Sequence, residues 1–185
     1  MINKKKIHVC VFCGSKKGKD FNYFGKAKKL GYYISENNWN LIFGGGSQGL
    51  MGALADGFNS SKAKMISVIP TALNKEKILY QNNTKKILVK NLSVRKQKMI
   101  KLADIIIVMP GGFGTLDELL EVLALNYLKI INKKIIILNF NNYWNPLKNL
   151  ILKMKKSDFI DDENLTKLYF FKNLDKAIKF IKNNL

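Results

Sequence analysis

The feature that most narrows the folds open to this chain is an alternation that runs from one end to the other. Short β-branched apolar runs take turns with longer amphipathic segments. That is the rhythm of βαβ units, in which each crossover helix returns the chain to a parallel neighbouring strand. The runs at 7–12, 40–43, 65–69, 86–89, 105–109, 134–138 and 168–171 read as strands, several almost wholly apolar, as strands covered on both faces must be. Between them, helices are predicted at 21–37 with Asp20 as N-cap, 48–59, 93–102, 115–128, 144–155 and 174–183. The helix at 115–128 carries Leu116, Leu119, Leu120, Leu123 and Leu125 as its apolar stripe. The polar stretch 71–84 is the longest expected loop, of the length that active-site lids have. No repeat or proline-rich linker marks off a second unit, and 185 residues are too few for two full-sized domains. The expected architecture is therefore α/β: one Rossmann-like, doubly wound domain over 1–185, with a mainly parallel sheet and helices on both faces.

Composition removes several function classes. No run approaches the roughly 18 apolar residues of a membrane span, and Met1 to Lys6 reads as a basic lead-in to a strand rather than a signal peptide. A cytoplasmic protein without a membrane partner is expected. Cys10 and Cys13 lie three apart in one apolar run, where successive residues face opposite ways. Buried thiols are expected there, not a disulfide framework or a metal site. The formal charge is +19, yet the lysines are spread over the whole chain without the aromatic and arginine interleaving that grips nucleic acid. A solvated lysine-rich surface accounts for them, and nucleic acid is not an expected partner. One basic residue stands apart. Of 32 lysines and arginines, only Arg95 is an arginine, and a planar five-donor fork matters where bidentate contact with phosphate, carboxylate or a nucleotide is required.

Two glycine loops each follow a strand and open a helix. In the first, Gly44, Gly46 and Gly49 satisfy G-x-G-x-x-G, with Gly45 between them. The second runs Pro110-Gly111-Gly112-Phe113-Gly114-Thr115, and Thr115 is placed to cap the helix or to donate its hydroxyl to an oxyanion. Bare main chain and free N–H groups at a helix start favour an anion, and two such turns at the carboxyl ends of parallel strands converge on one crevice. A phosphorylated ligand is expected. A P-loop would need G-K-[ST] after the glycines, and neither loop has it. A dinucleotide site would want an acidic residue about 20 positions further on, where Lys62, Lys64 and Met65 stand instead. A nucleoside monophosphate is the best-sized guest. Its sugar needs a carboxylate, and Glu118, three residues past Thr115, is one turn from the phosphate amides. Asp117 and Glu121 flank it at a helix start that stabilises negative charge.

These residues resemble the LOG family, the cytokinin riboside 5′-monophosphate phosphoribohydrolases once described as lysine decarboxylases. Pro110 to Glu118 matches P-G-G-x-G-T-x-x-E, Gly14-Ser15 the first-strand loop, Gly44-Gly45-Gly46 with Gly49-Leu50-Met51-Gly52 the second, and Arg95-Lys96 with Met99 the R-K-x-x-M helix. The resemblance implies hydrolysis of the N-glycosidic bond of a nucleoside 5′-monophosphate to free base and ribose 5-phosphate, without cofactor or metal, by a homodimer. It implies Arg95 and Glu118 as the catalytic pair and Gly14, Ser15, Gly44, Gly45, Gly46, Glu76, Lys96, Gly111, Gly112, Gly114 and Thr115 as substrate contacts. Where the family commonly carries M-H-x-R-K, this chain has Leu92-Ser93-Val94-Arg95-Lys96, without the histidine. The lone His8 sits on the first strand as a core or edge imidazole.

Cleaving C1′–N builds oxocarbenium charge on the ribose, so an ionised carboxylate nearby stabilises the transition state and orients the attacking water. Glu118 is expected in that part, while Arg95 stays charged and grips phosphate or base. The alternative from another class is a non-catalytic carrier of a phosphorylated ligand, resembling the molybdenum-cofactor carriers. Single-stranded DNA binding, as in the related DprA-like fold, draws only on the net charge.

Overall fold

The computed structural model describes residues 6–74 and 78–184. Seven strands, His8–Phe12 (β1), Asn40–Phe43 (β2), Met65–Pro70 (β3), Lys85–Val89 (β4), Ile105–Val108 (β5), Lys134–Leu138 (β6) and Leu168–Phe171 (β7), form one sheet in the order β4-β3-β2-β1-β5-β6-β7. Every neighbouring pair is parallel. The central strands are buried on both faces, which is why they read as continuous apolar runs; of the edge strands, β7 is half-buried and β4 is largely exposed.

The helices are Phe21–Glu36 (α1), Gly49–Gly57 (α2), Leu92–Leu102 (α3), Phe113–Tyr127 (α4), Asn145–Lys156 (α5), the short Asp162–Leu165 (α6) and Leu174–Asn184 (α7), the last following the final strand. Asp20 caps α1 as expected, its carboxylate accepting from the Asn22 N–H at 2.9 Å, and the Asn91 side chain caps α3 at the Val94 N–H, also at 2.9 Å. Helix α4 departs from its expected start. Gly112 is its N-cap, without a side-chain cap bond, and Thr115 lies inside the first turn, 3% exposed, rather than capping it. The expected leucine stripe also shifts. Leu119 and Val122 face the core, whereas Leu120 is 46% exposed.

Period-two alternation sends Val9, Val11 and Cys13 to the layer that contains Leu30, Ile34 and Leu54 of α1 and α2. It sends Cys10 and Phe12 to the opposite layer, with Met99 and Ile100 of α3 and Leu119 of α4. Both cysteines are buried, free and on opposite faces.

The order of strands places the site. From β1 the chain winds outward through β2 and β3 to β4, then crosses back to lay β5 on the other side of β1. Loops leaving β1 and β5 diverge at that switch point and open a crevice at the carboxyl ends of the strands. Their base is pinned, because the Gly14 N–H donates to the Pro110 carbonyl at 3.1 Å. The expected long loop begins as a 3-10 turn, Thr71–Leu73, and Leu79 pairs with Gly46 in an isolated bridge. Glu76, within that loop, lies outside the described residues. Among the described residues, no helix is long and apolar enough to cross a membrane.

Candidate active site

The crevice has a volume of about 600 Å³ and draws its walls from six parts of the chain. Of the residues singled out in the sequence, Gly14, Ser15, Gly44, Arg95, Gly111, Gly112, Gly114, Thr115 and Glu118 all line it. Gly45, Gly46 and Lys96 do not.

Glu118 lies in the second turn of α4 and Arg95 in the first turn of α3, two helices packed on the same face of the sheet. Glu118 Oε1 is 3.4 Å from Arg95 Nη2, with only 10% and 15% of the two side chains exposed. Burial pushes the Glu118 carboxyl from its ordinary 4.5 up to about 7. The Arg95 guanidinium works against that rise, Asp117 adds to it, and the Lys96 ammonium again opposes it. A carboxyl poised near neutrality exchanges its proton readily, which general acid–base chemistry requires. The guanidinium fits because position 44 has no side chain; a Cβ there would stand 2.0 Å from Nη2. Arg95 Nε is buried without a hydrogen-bond partner, so part of the fork is left over after the contact with Glu118. Cys13 also lines the crevice, but burial, reinforced by Glu118, holds its thiol well above the ordinary range and therefore protonated.

The first-turn N–H groups of a helix have no intrahelical acceptor, and Phe113, Gly114 and Thr115 occupy those positions in α4. A Cβ at Gly112 or Gly114 would meet nothing within 4 Å, so both glycines look onto open space. The helix dipole adds partial positive charge at the same spot. An anion of phosphate size fits that chemistry.

Lys96 takes a different place from the substrate contact expected of it. Its ammonium lies 2.7 Å from Asp117 Oδ1 and 2.7 Å from Glu121 Oε2, tying α3 to α4 on either side of Glu118. His8 stands at the amino end of β1, away from the crevice, within 3.1 Å of the Asn40 amide and 3.5 Å of Asp104. Other lining residues escaped the sequence reading: Lys16, Lys17, Tyr23, Leu73, Phe113 and Tyr143. They belong to loops or to helix starts, where no hydrophobic period marks a side chain as facing a cleft. Among the described residues, no group of three or more His, Cys, Asp or Glu side chains could hold a metal ion.

A family model described as "Possible lysine decarboxylase" matches residues 51–181. Two Arabidopsis thaliana proteins named cytokinin riboside 5′-monophosphate phosphoribohydrolase, LOG3 and LOG1, are 36% and 37% identical to this chain. Each alignment covers 86% of the chain, and 74% and 75% of the respective relative. The chain belongs to the LOG family. It spans 66%, 62% and 61% of the length of three relatives from Oryza sativa subsp. japonica, at 38%, 40% and 38% identity. Solved structures share the fold of this LOG-family chain at lower identity. The molybdenum cofactor binding protein of Rippkaea orientalis superposes with a TM-score of 0.70 at 18% identity, over 97% of this chain and 98% of that one. DNA processing protein A of Helicobacter pylori gives 0.57 at 12% identity, over 96% and 81%.

Proposed function

We propose that this chain hydrolyses the N-glycosidic bond of a nucleoside 5′-monophosphate, releasing free base and ribose 5-phosphate. The observation that carries the reading is the buried Glu118–Arg95 pair, which faces the crevice beside the open amides of α4. In this mechanism the first turn of α4 holds the phosphate and so sets the anomeric carbon near Glu118. The ionised Glu118 stabilises oxocarbenium character at C1′ and takes a proton from the attacking water. The C1′–N bond breaks as the C1′–O bond forms, the electron pair leaves with the base, which takes up a proton from solvent, and Glu118 returns the proton of the attacking water to solvent. Arg95 stays cationic throughout and uses its remaining donors on the phosphate or on the departing base. Lys96 enters this reading through Asp117 and Glu121, as the tie that keeps the two helices in register.

The relatives named for this activity support the substrate class. Ser93, standing where the family commonly has histidine, directs the proposal to adenine-type monophosphates as a class rather than to one base. No cofactor enters the reaction. The acting form is proposed to be a homodimer, because Leu92 and Val94 of α3 and Phe113 and Leu120 of α4 are exposed apolar residues on the two helices that carry the catalytic pair. Two free buried cysteines suit a reducing compartment, in keeping with a cytoplasmic protein.

Incubating the purified chain with AMP and other purine 5′-monophosphates, and following free base by chromatography, tests the proposal. Release of base with equimolar ribose 5-phosphate is the expected result. Nucleotide binding without any base release would instead describe a carrier of phosphorylated ligands.

A further inference from the structure

The loop between β6 and α5 reaches the crevice without having been marked by any glycine motif. It is held by side chains rather than by regular structure. Asn139, 3% exposed, accepts from the Trp144 N–H at 2.7 Å and donates to Asn145 Oδ1 at 2.8 Å. The Tyr143 N–H donates to the Phe140 carbonyl at 3.0 Å. Asn141 and Asn142 are both left-handed, at φ 50° and 61°, a conformation asparagine tolerates better than most side chains. The Asn141 amide also donates to Asp20, which ties the loop to the start of α1. What this loop presents is Tyr143. Its ring is packed edge-on by Tyr23 at 6.0 Å and Trp144 at 5.0 Å, and its hydroxyl donates to the Gly111 carbonyl at 2.6 Å.

We infer that Tyr143 is a positioning residue for the phosphate cradle, a part that rests on the function proposed above. A trans peptide is planar, with its C=O and N–H pointing opposite ways, and the described residues contain no cis bond. Fixing the Gly111 carbonyl on Tyr143 therefore fixes the direction of the Gly112 N–H, which no acceptor among the described residues takes. The preceding carbonyl, of Pro110, is already held by the Gly14 N–H. Two successive peptides are thus clamped, one from the loop after β1 and one from Tyr143, immediately before the open turn of α4. The cradle is preorganised, so the phosphate binds without first ordering the loop.

The variant Tyr143→Phe in the full chain removes the hydroxyl and keeps the ring. Loss of one neutral hydrogen bond predicts a KM for AMP raised about two- to tenfold, with kcat nearly unchanged. Calorimetric binding of inorganic phosphate and of ribose 5-phosphate should weaken by the same factor. A hydroxyl with a merely structural part would lower the melting temperature and leave KM and phosphate affinity alone; that result, or a fall in kcat at constant KM, overturns the inference. The phosphate measurement needs no turnover. If the wild-type chain binds phosphate but releases no base, a weaker-binding Tyr143→Phe sustains the inference while the hydrolase reading fails. If the wild-type chain turns over and the variant matches it, only the inference fails. A wild-type chain that binds neither inorganic phosphate nor ribose 5-phosphate overturns the inference, and base release then decides the hydrolase reading by itself.

Discussion

In the loop after β2 the main chain is taken up by the protein itself. The Ser47 N–H donates to the Ile78 carbonyl at 3.0 Å, the Leu50 N–H to the Gly14 carbonyl at 3.0 Å, and the Gly45 carbonyl accepts from Tyr80 at 2.8 Å. Its glycines are occupied from within as well, Gly44 by the Arg95 guanidinium and Gly49 by the Ser15 main chain. In the loop after β5 the first-turn amides of α4 are left open, and Gly112 and Gly114 face empty space. Two stretches that spell similar phosphate motifs thus divide the work. The first is a seat for Arg95 and for the β1 loop; the second is free to receive a ligand. A G-x-G-x-x-G pattern marks close approach of the main chain, and the approaching group is as readily a side chain of the same protein as an anion.

Substitutions that separate the two loops test this division. The largest effect is expected from Glu118→Gln, which keeps the shape of the site and removes the ionisable group. Turnover should fall about a hundredfold or more with KM within a few-fold, as for loss of one general acid–base group. Gly49→Ala comes next and belongs to the scaffold: at φ +60° its Cβ would lie 2.3 Å from the Ser15 carbonyl carbon. A loss of about 1–3 kcal/mol in chemical denaturation is expected. Gly44→Ala leaves the fold in place but pushes the guanidinium off Glu118, so kcat/KM should drop about tenfold, a size comparable with Arg95→Lys. Wild-type kinetics in Gly44→Ala would break the claim that the first loop serves Arg95. The smallest effect, and the one of opposite sign, is expected from Gly114→Ala. With nothing nearby to collide with and a helical position to gain, the melting temperature should hold or rise slightly. The new methyl narrows the cradle, so KM for the nucleotide should increase. A destabilised Gly114→Ala with unchanged KM would show that the second loop is scaffold too.

The sheet was legible in the sequence because its inner strands are covered on both faces and so appear as apolar runs with abrupt ends. The ends of the inner strands β1, β2, β3, β5 and β6 fall within one residue of the expected positions for that reason. The start of α4 was less legible. A glycine at 114 and a threonine at 115 read as turn and cap, whereas Gly112 is the cap and the helix begins with a first turn open to the crevice. The closeness of Glu118 to the open amides followed from helical spacing, which is local. The environment of Lys96 did not, because its partners Asp117 and Glu121 lie across the α3–α4 contact, more than 20 residues away. Tyr143 left no trace either; a tyrosine among asparagines in a loop has no period, and its part depends on which carbonyl it reaches once the chain has folded.

The most direct test of the central claim, that a carboxyl tuned by burial governs bond cleavage beside the phosphate cradle, is the pH dependence of kcat/KM for base release from AMP. That quantity reports ionisations of the free enzyme and free substrate. The substrate phosphate also ionises, near pH 6, so the wild-type profile is measured beside that of Glu118→Gln. With Glu118 held at about 7 and active as the carboxylate, the wild-type profile should rise through pH 7 and level off above it, and that limb should be missing from the variant. A profile that falls through pH 7, or the same rising limb in Glu118→Gln, would contradict the account.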